Sequence, residues 1–119
     1  MLINIIQPDF IHQNENGVLT QLVRSGFRQV NVIESKAGGS RGGHFHKQNQ
    51  EAFFVVQGTF RLSVSRNDKQ ETYQFQKGDM FSIPAYVKHS FDFGEDTILV
   101  SMYSEGVELA DGGMDIYTQ

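Results

Sequence analysis

The chain reads Gly38-Gly-Ser-Arg-Gly-Gly-His44-Phe-His46-Lys-Gln-Asn-Gln-Glu51-Ala-Phe-Phe-Val-Val-Gln-Gly58 near its middle. This stretch sets two imidazoles and a carboxylate between glycines, and it ends in an apolar run. A second stretch, Gly78-Asp-Met-Phe-Ser-Ile-Pro84-Ala-Tyr-Val-Lys-His89, contributes a third imidazole. Imidazole nitrogens and a carboxylate suit one divalent transition metal, whether Zn, Mn, Ni, Fe or Cu. The two stretches therefore predict a metal site with four ligands: His44, His46, Glu51 and His89.

The residues around these stretches alternate between apolar and polar side chains, with a period of two. In Thr59–Ser65, for example, Phe60, Leu62 and Val64 share one face, as expected of a strand with one buried face. Further strands are predicted at Val18–Val23, Arg28–Glu34, Ala52–Val56, Tyr73–Phe75, Phe81–Ile83, His89–Phe93 and Thr97–Tyr103. No stretch of ten or more residues has a helical period. Many short strands joined by glycine-rich turns predict an all-β sandwich or barrel.

The spacing of the candidate ligands agrees with a metal site. His44 and His46 are two residues apart, so on a strand both rings point to the same face. Glu51 opens the next apolar strand, where an unpaired inward carboxylate is costly and a bound metal offsets that cost. A lone His-x-His pair on a loop is usually solvated, and the addition of Glu51 and His89 favours the metal. His12 lies among polar residues near the N-terminus and is assigned to the surface.

Length, charge and composition narrow the classes of function. The 119 residues, of which 39% are hydrophobic, predict one domain over residues 1–119. A net charge of −4 without any basic cluster argues against a nucleic-acid partner. No segment approaches the ~20 apolar residues of a membrane span, and residues 1–8 lack the positive region of a signal peptide. The absence of cysteine agrees with a cytoplasmic location.

The two stretches resemble the sequence motifs of the cupin superfamily. The first cupin motif is Gly, five residues, His-x-His, three or four residues, Glu, six residues, Gly, and here it is complete from Gly38 to Gly58. The second motif matches at Gly78, Pro84 and His89, whereas Tyr86 and Phe93 stand where the motif has glycine and asparagine. The resemblance covers about residues 28–103. It implies a double-stranded β-helix, also called a jelly-roll barrel, with the four ligands inside it.

A finer resemblance points to cupins that act on nucleotide sugars. Arg41–Lys47 is similar to a signature of the 4-keto-6-deoxyhexose 3,4-ketoisomerases, and Phe91–Glu105 resembles their last strands. In those enzymes two histidines act as acid and base, and no metal is required. Glu51 and His89 depart from that pattern and resemble instead the metal-binding cupin domain of bifunctional capsular-sugar epimerase/reductases. The resemblance therefore implies an isomerase or epimerase that moves a proton on a nucleotide-linked 4-keto-6-deoxy sugar.

Roles for individual residues follow from this resemblance. Proton transfer is assigned to His44, His46 and Tyr86, and binding of the diphosphate to Arg41, Lys47 and Arg61. A solvated surface charge is the commoner role of a basic residue, so these three assignments depend on where the side chains lie. The expected partner is a small molecule, most directly a nucleotide sugar. A homodimer is also expected, because an exposed apolar strand such as Val18–Val23 can extend a partner's sheet.

Two other classes of function stay open at this point. A mononuclear-metal dioxygenase would use the same four ligands around Fe(II), with positions open for oxygen and substrate. A non-catalytic cupin would bind a metal or a small ligand without turnover. The cupin fold hosts all of these activities, so the fold does not choose among them.

Overall fold

The computed structural model describes residues 1–118 and folds them into β-strands joined by turns and loops. The strands, in chain order, are β1 (Asn4–Ile5), β2 (Phe10–Asn14), β3 (Gly17–Gln21), β4 (Gln29–Ser35), β5 (Ser40–His44), β6 (Glu51–Gln57), β7 (Thr59–Arg66), β8 (Lys69–Gln76), β9 (Met80–Ile83), β10 (Lys88–Phe93) and β11 (Thr97–Tyr103). The predicted all-β architecture is confirmed. The predicted domain extends to Gln119, which lies outside the described residues. Within residues 1–118, no helix is long and apolar enough to cross a membrane.

Two antiparallel sheets form the barrel. One has the strand order β1-β9-β6-β11-β4, and the other has the order β5-β10-β7-β8. Strands that are distant in sequence are therefore neighbours in space, as in a jelly roll. The pairing of β5 with β10 brings the end of the first motif against the second motif. The pairing of β6 with β9 and β11 places Glu51, the first residue of β6, opposite Ile83 and Tyr103.

The inner faces of the two sheets meet in an aromatic core. Phe60 and Val64 of β7 are buried, as the alternating pattern predicts. Phe53 of β6 packs across the barrel on Phe91 of β10, with 5.1 Å between the ring centroids. Burial of each such side chain contributes about 1.5–3 kcal/mol to the free energy of unfolding. His89 lies two residues before Phe91 and shares its inward face, so the core continues directly into the candidate site.

The N-terminal strands differ from the prediction in their bounds and partners. β3 ends at Gln21 and pairs with β2 in a separate hairpin, whereas β4 pairs with β11. Leu22 and Val23, predicted as the end of a strand, pack on the outer face of the larger sheet beside Met102. A strand continued through these two residues would leave them as exposed as Leu19, which is 58% exposed. Apolar burial thus outweighs strand propensity at this point.

We expect replacement of Gly58 by alanine to destabilise the fold strongly. Gly58 has a φ of +96°, and a Cβ there would lie 2.5 Å from the carbonyl oxygen of Asp96. Left-handed strain and overpacking should together lower the free energy of unfolding by about 2–4 kcal/mol in urea denaturation. Gly78 is the matched control, because its φ is +91° and a Cβ would meet nothing within 4 Å. Gly78→Ala should lose only the strain, about 1 kcal/mol, and equal losses in the two variants would contradict the predicted collision.

Candidate functional site

Three of the four predicted metal ligands form one cluster. His44 is the last residue of β5, His46 lies in the loop that follows, and His89 on β10 stands opposite His44 in the β5–β10 pairing. One ring nitrogen from each histidine lies within 4.8 Å of the other two. The ring centroids of His44 and His89 are 4.8 Å apart. Such a group of nitrogens could hold a metal ion.

Gly42 permits the close approach of β5 to β10 on which this cluster depends. Its φ is +105°, and a Cβ at this position would lie 2.6 Å from the carbonyl oxygen of His89. The β5–β10 register also shifts between His89 and Ser90, which marks a β-bulge. A larger residue at position 42 would push the two strands apart and separate His44 from His89. The glycines before His44 therefore have a structural role in the site.

Backbone carbonyls fix the orientation of two of the rings. His46 Nδ1 lies 2.6 Å from the carbonyl oxygen of Asp115, and His89 Nδ1 lies 3.0 Å from that of Val87. A carbonyl oxygen can only accept a hydrogen bond, so each Nδ1 carries a proton and donates it. In the neutral form of either ring, Nε2 is then an unprotonated acceptor. On both rings this nitrogen faces the buried carboxylate of Glu51.

The contacts of Glu51 call for a positive charge. Its Oε1 lies 3.1 Å from His46 Nε2 and 3.6 Å from His89 Nε2, and its side chain is buried. Two acceptors at such a distance repel each other unless a proton or a cation lies between them. His89 Nε2 has no hydrogen-bond partner in the described residues, although His89 is only 1% exposed. The donor set therefore fits a divalent transition metal.

Without a metal, the charges within the cluster are unequal. Burial, together with neighbouring His89 and His46, lowers the pKa of His44 to about 4, so this ring is neutral. Burial alone would lower the pKa of His46, but its hydrogen bonds to Glu51 and to the Asp115 carbonyl outweigh this effect and raise it. Burial alone would raise the pKa of Glu51, but the hydrogen bond with His46 outweighs it and lowers the pKa. Below the raised pKa of His46, this ring and Glu51 thus form a buried ion pair beside a neutral His44.

A cavity opens beside the cluster. Its empty space is about 360 Å³, a volume that includes open solvent at the mouth. Its wall is formed by Ile33, Arg41, Gly42, His44, Glu51, Phe53, His89, Phe91, Phe93, Leu99 and Tyr103. The wall is thus largely apolar, and one guanidinium, two imidazoles, a carboxylate and a phenol are its ionisable groups. A mostly apolar pocket with a few convergent polar groups is typical of a small-molecule site.

Comparison with known proteins places this site within a family. Residues 12–110 match the polysaccharide biosynthesis C-terminal domain family. The chain belongs to this family. The segment of this chain that matches the family contains the whole histidine cluster and every residue of the cavity wall. Asp115 lies beyond the end of this segment.

The solved structures that resemble this family member are cupins. A 3,4-ketoisomerase from Helicobacter canadensis has a TM-score of 0.83 at 14% identity, over 100% of this chain and 92% of that one. A mutant of the 3,4-ketoisomerase QdtA from Thermoanaerobacterium thermosaccharolyticum, in complex with TDP-4-keto-6-deoxyglucose, has a TM-score of 0.81 at 17% identity, covering 99% and 88%. The capsular polysaccharide assembling protein CapF from Staphylococcus aureus has a TM-score of 0.68 at 23% identity, covering 91% and 31%. The predicted cupin double-stranded β-helix is confirmed.

Two curated relatives share shorter segments with the chain. The 3-hydroxyanthranilate 3,4-dioxygenase of Danio rerio is 28% identical over 83 residues, which are 68% of this chain and 29% of the relative. The acireductone dioxygenase of a Hydrogenobaculum strain is 44% identical over 52 residues, which are 43% of this chain and 27% of the relative. The chain therefore spans less than a third of the length of these two proteins.

Of the three predicted diphosphate-binding residues, Arg41 lines the cavity and the other two do not. The ammonium of Lys47 lies over the ring of Tyr117, 4.2 Å from its centroid. The guanidinium of Arg61 is 61% exposed on β7 and lies 3.9 Å from the carboxylate of Asp92. The side chain of Arg61 points outward because its neighbours on the strand, Phe60 and Leu62, occupy the inward face.

The structure also leaves Tyr86 outside the cavity wall. Its side chain is 56% exposed, and its ring stacks on Phe45 at 6.2 Å. Its φ is +70°, in the left-handed region that favours glycine, and this is the position at which the cupin motif has glycine. The backbone N–H donates to the carbonyl of His46 at 2.7 Å. Tyr86 therefore supports, through its main chain, the loop of residues 45–50 between β5 and β6, here called the ligand loop.

Tyr103 is a residue of the site that the sequence analysis missed. It is 8% exposed, lines the cavity, and places its ring edge-on to His46 at 5.1 Å between centroids. Burial and the negative charge of Glu51 raise its pKa, so the phenol keeps its proton and acts as a donor. The alternation of β11 contained the signal, since Leu99, Ser101 and Tyr103 fall on one buried face.

The stability of the metal-free protein should be greatest near the pKa of free histidine. His44 titrates at 6.5 when unfolded and at about 4 when folded, so stability falls as pH drops through this interval. The folded pKa of His46 lies above 6.5, so its contribution is complete below 6.5 and is lost as pH rises through the folded value. Thermal unfolding measured against pH, with a chelator present, should therefore give a maximum near 6.5.

Two variants test which group causes the loss of stability on the acid side and on the alkaline side of this pH profile. His44→Gln should flatten the acid flank, although some loss persists because protonation of Glu51 removes its stabilising charge. Glu51→Gln should flatten the alkaline flank, since it removes the main group that raises the pKa of His46. A wild-type protein whose stability does not change across this range would contradict the assigned charges.

Proposed function

We propose that this chain is a metal-binding cupin that isomerises or epimerises a nucleotide-linked 4-keto-6-deoxy sugar. The proposal depends mainly on one observation: half-buried His44, buried His46 and His89, and Glu51 lie beside a cavity whose wall also carries Arg41 and Tyr103. Of the similar proteins of known structure, two are 3,4-ketoisomerases and one is a capsular polysaccharide assembling protein. Membership of a polysaccharide biosynthesis family supports the same class of substrate.

The proposed metal would be held by His44, His46, His89 and Glu51. A Lewis-acidic ion at this site would polarise the ketone oxygen and stabilise the enolate formed when an adjacent carbon loses a proton. A ring nitrogen that binds a metal cannot also accept a proton. Metal ligation and acid–base catalysis are therefore exclusive at each Nε2, and the metal content of the protein decides between them.

The remaining chemistry is assigned to the chain's own groups. The phenol of Tyr103 keeps its proton at neutral pH and can donate a hydrogen bond to an oxygen on which negative charge develops. Tyr103 therefore takes the role predicted for Tyr86, whose side chain lies outside the cavity. In a metal-free enzyme, neutral His44 would accept the proton from carbon, and the His46 imidazolium would return a proton. Apolar Phe91 and Phe93 exclude water around the reacting carbon.

Arg41 is the proposed contact for the diphosphate. A guanidinium can bind phosphate oxygens through two parallel hydrogen bonds, and this one lies in the wall of the cavity. The cavity is open to solvent, so the nucleotide would extend through its mouth past Arg41. A cytoplasmic location is part of the proposal, because nucleotide sugars and a chain without cysteine both fit a reducing compartment.

A combined metal analysis and substrate assay tests this function. Protein purified without a histidine tag should contain about one transition metal per chain, and Glu51→Gln should weaken metal binding by more than roughly tenfold. Glu34→Gln, on the exposed face of β4, is the matched control and should bind normally. In deuterated water, the metal-loaded protein should introduce deuterium next to the ketone of a thymidine-diphosphate-linked 4-keto-6-deoxy sugar.

The same assay distinguishes a dioxygenase, the second candidate function. The two curated relatives have dioxygenase names, and the three histidines with Glu51 are also a suitable set for Fe(II). Oxygen consumption by the Fe(II)-loaded protein, without deuterium exchange into the sugar, would show that the protein is a dioxygenase and not an isomerase. Deuterium exchange in a protein that binds no metal would keep the isomerase and assign His44 and His46 to acid–base catalysis. If neither activity is observed, the chain is a non-catalytic binding domain.

We also propose that two chains associate through the β2–β3 hairpin. The apolar side chains of this hairpin are more than half exposed at Phe10, Ile11, Val18 and Leu19. β4 is an edge strand of the larger sheet, and its Val30 and Val32 are 61% and 68% exposed. An apolar hairpin and an apolar open edge are complementary surfaces, since each offers unpaired backbone groups and uncovered side chains.

Light scattering should therefore show a dimer that loses affinity when the hairpin becomes polar. The double variant Val18→Asn, Leu19→Asn should shift the equilibrium to monomer, because it removes two side chains that are 57% and 58% exposed. Ile5→Asn on β1 is the control, because Ile5 is 51% exposed on the opposite edge of the larger sheet. A wild-type monomer, or equal effects of both changes, would exclude this interface.

A further inference from the structure

Asp115 binds the ligand loop from a distant part of the chain. Its Oδ1 accepts the backbone N–H of Lys47 at 2.8 Å, and its Oδ2 accepts that of Gln48 at 2.9 Å. Oδ2 also accepts the amide Nδ2 of Asn49 at 2.8 Å. Asp115 is 0% exposed and has no salt-bridge partner within residues 1–118. Burial of a carboxylate carries a desolvation cost, which three N–H donors offset here. Such a group is unusual in a loop whose only role is to close a barrel.

Asn49 extends this contact to the segment that follows β11. Its side-chain oxygen accepts the N–H groups of Glu105 and Gly106, at 2.8 and 3.0 Å. Its Nδ2 donates to the Gly106 carbonyl at 2.9 Å as well as to Asp115. Both donor and both acceptor positions of the Asn49 amide are thus used within the protein. The ligand loop is held on two sides and cannot move independently of Asp115.

The backbone of Asp115 contacts the candidate metal ligand itself. Its carbonyl oxygen accepts the Nδ1–H of His46 at 2.6 Å, and its own N–H donates to the Val107 carbonyl at 2.8 Å. Two residues further on, Tyr117 exchanges backbone hydrogen bonds with Phe45 at 2.8 and 3.0 Å. The main chain of Asp115 is therefore fixed from both sides. A ring held at Nδ1 by a fixed acceptor has one tautomer and one orientation.

We propose that Asp115 is a positioning residue for His46, which fixes the ring so that Nε2 faces Glu51 and the other two histidines. The carboxylate sets the distance between the ligand loop and the C-terminal segment, and the carbonyl of the same residue selects the Nδ1–H tautomer. One residue thereby couples the position of the loop to the direction of the ligand's lone pair. This inference rests on the proposed metal-binding function for its consequence, but its geometry is testable without a metal.

Nitrogen-15 NMR of the metal-free wild type tests the geometry first. The Nδ1 proton of His46 should be observed as a downfield resonance that exchanges slowly with water, because the hydrogen bond is short and buried. The imidazolium and the neutral Nδ1–H tautomer both carry this proton, whereas the neutral Nε2–H tautomer that free histidine favours lacks it. A His46 ring with an unprotonated Nδ1 would overturn the proposal, whatever the activity of the protein.

Asp115→Asn tests whether the carboxylate maintains this geometry. The amide would place an NH₂ group against the donors of Gln48 and Asn49, so the loop and the C-terminal segment should separate. The His46 Nδ1 proton should then exchange faster by at least roughly tenfold. Asp111→Asn is the matched control, because Asp111 is an exposed residue of the same segment and only caps Gly113. An unchanged resonance in a folded Asp115→Asn protein would overturn the proposal.

Binding of Co²⁺ alone then measures how the loss of the Asp115 carboxylate affects metal affinity. Asp115→Asn should weaken Co²⁺ binding about 10–100-fold relative to the wild type and to Asp111→Asn, as the loss of a supporting hydrogen bond does at other histidine sites. Its visible absorption bands should change shape as the His46 nitrogen turns away. A wild type that binds no Co²⁺ but shows the protected Nδ1 proton would refute the metal and leave the positioning role intact. Normal Co²⁺ affinity in Asp115→Asn would refute the positioning role.

Discussion

The 3.1 Å approach of His46 Nε2 to Glu51 Oε1 is the contact on which the chemistry of this barrel depends. The Asp115 carbonyl already uses the Nδ1 proton, so a neutral ring offers Glu51 only a lone pair. A second proton or a metal ion must supply the missing charge, and the two compete for one place. Uptake of a metal would release a proton from His46. The same four side chains thus suit either a protonated site or a metal-loaded one.

The fold serves this contact by forcing distant strands together. Gly42 lets β5 approach the bulge in β10, which sets His44 against His89. Glu51 begins β6 in the middle of the larger sheet, where its neighbours hold it in the interior. Phe53 and Phe91 close the barrel directly below, so the ionisable groups have little access to water except through the cavity. Low dielectric around these groups strengthens every charge–charge interaction in the site.

The sequence predicts those parts of the site whose signals are local. Alternation defines the central strands, and the spacing of His44, His46 and Glu51 within eight residues indicates the candidate ligands. Contacts across the fold have no such signal. Asp115 lies 69 positions from the ring that it contacts, and nothing in the residues around it indicates the pairing.

Backbone conformation and tertiary packing set a second limit on what the sequence predicts. Tyr86 was expected near the site because of its place in the motif, but its positive φ directs the side chain onto Phe45. Val18–Val23 reads as one strand, yet its last two residues leave the strand for the outer face of the sheet. In both cases tertiary packing overrode a correct local pattern. Tyr103 differs, because the alternation of β11 already placed it on the buried face.

The dependence of His46 on Asp115 has a consequence for synthesis on the ribosome. Most of the barrel can pair as its strands emerge, but His46 must wait for 69 further residues before its ring has a fixed acceptor. Until then the loop after β5 is free to present the imidazole in either tautomer. A chain synthesised only up to residue 114 therefore lacks the fixed acceptor, although it already holds all three histidines of the cluster. Such a shortened product would carry the same side chains without the single ring orientation that Asp115 confers.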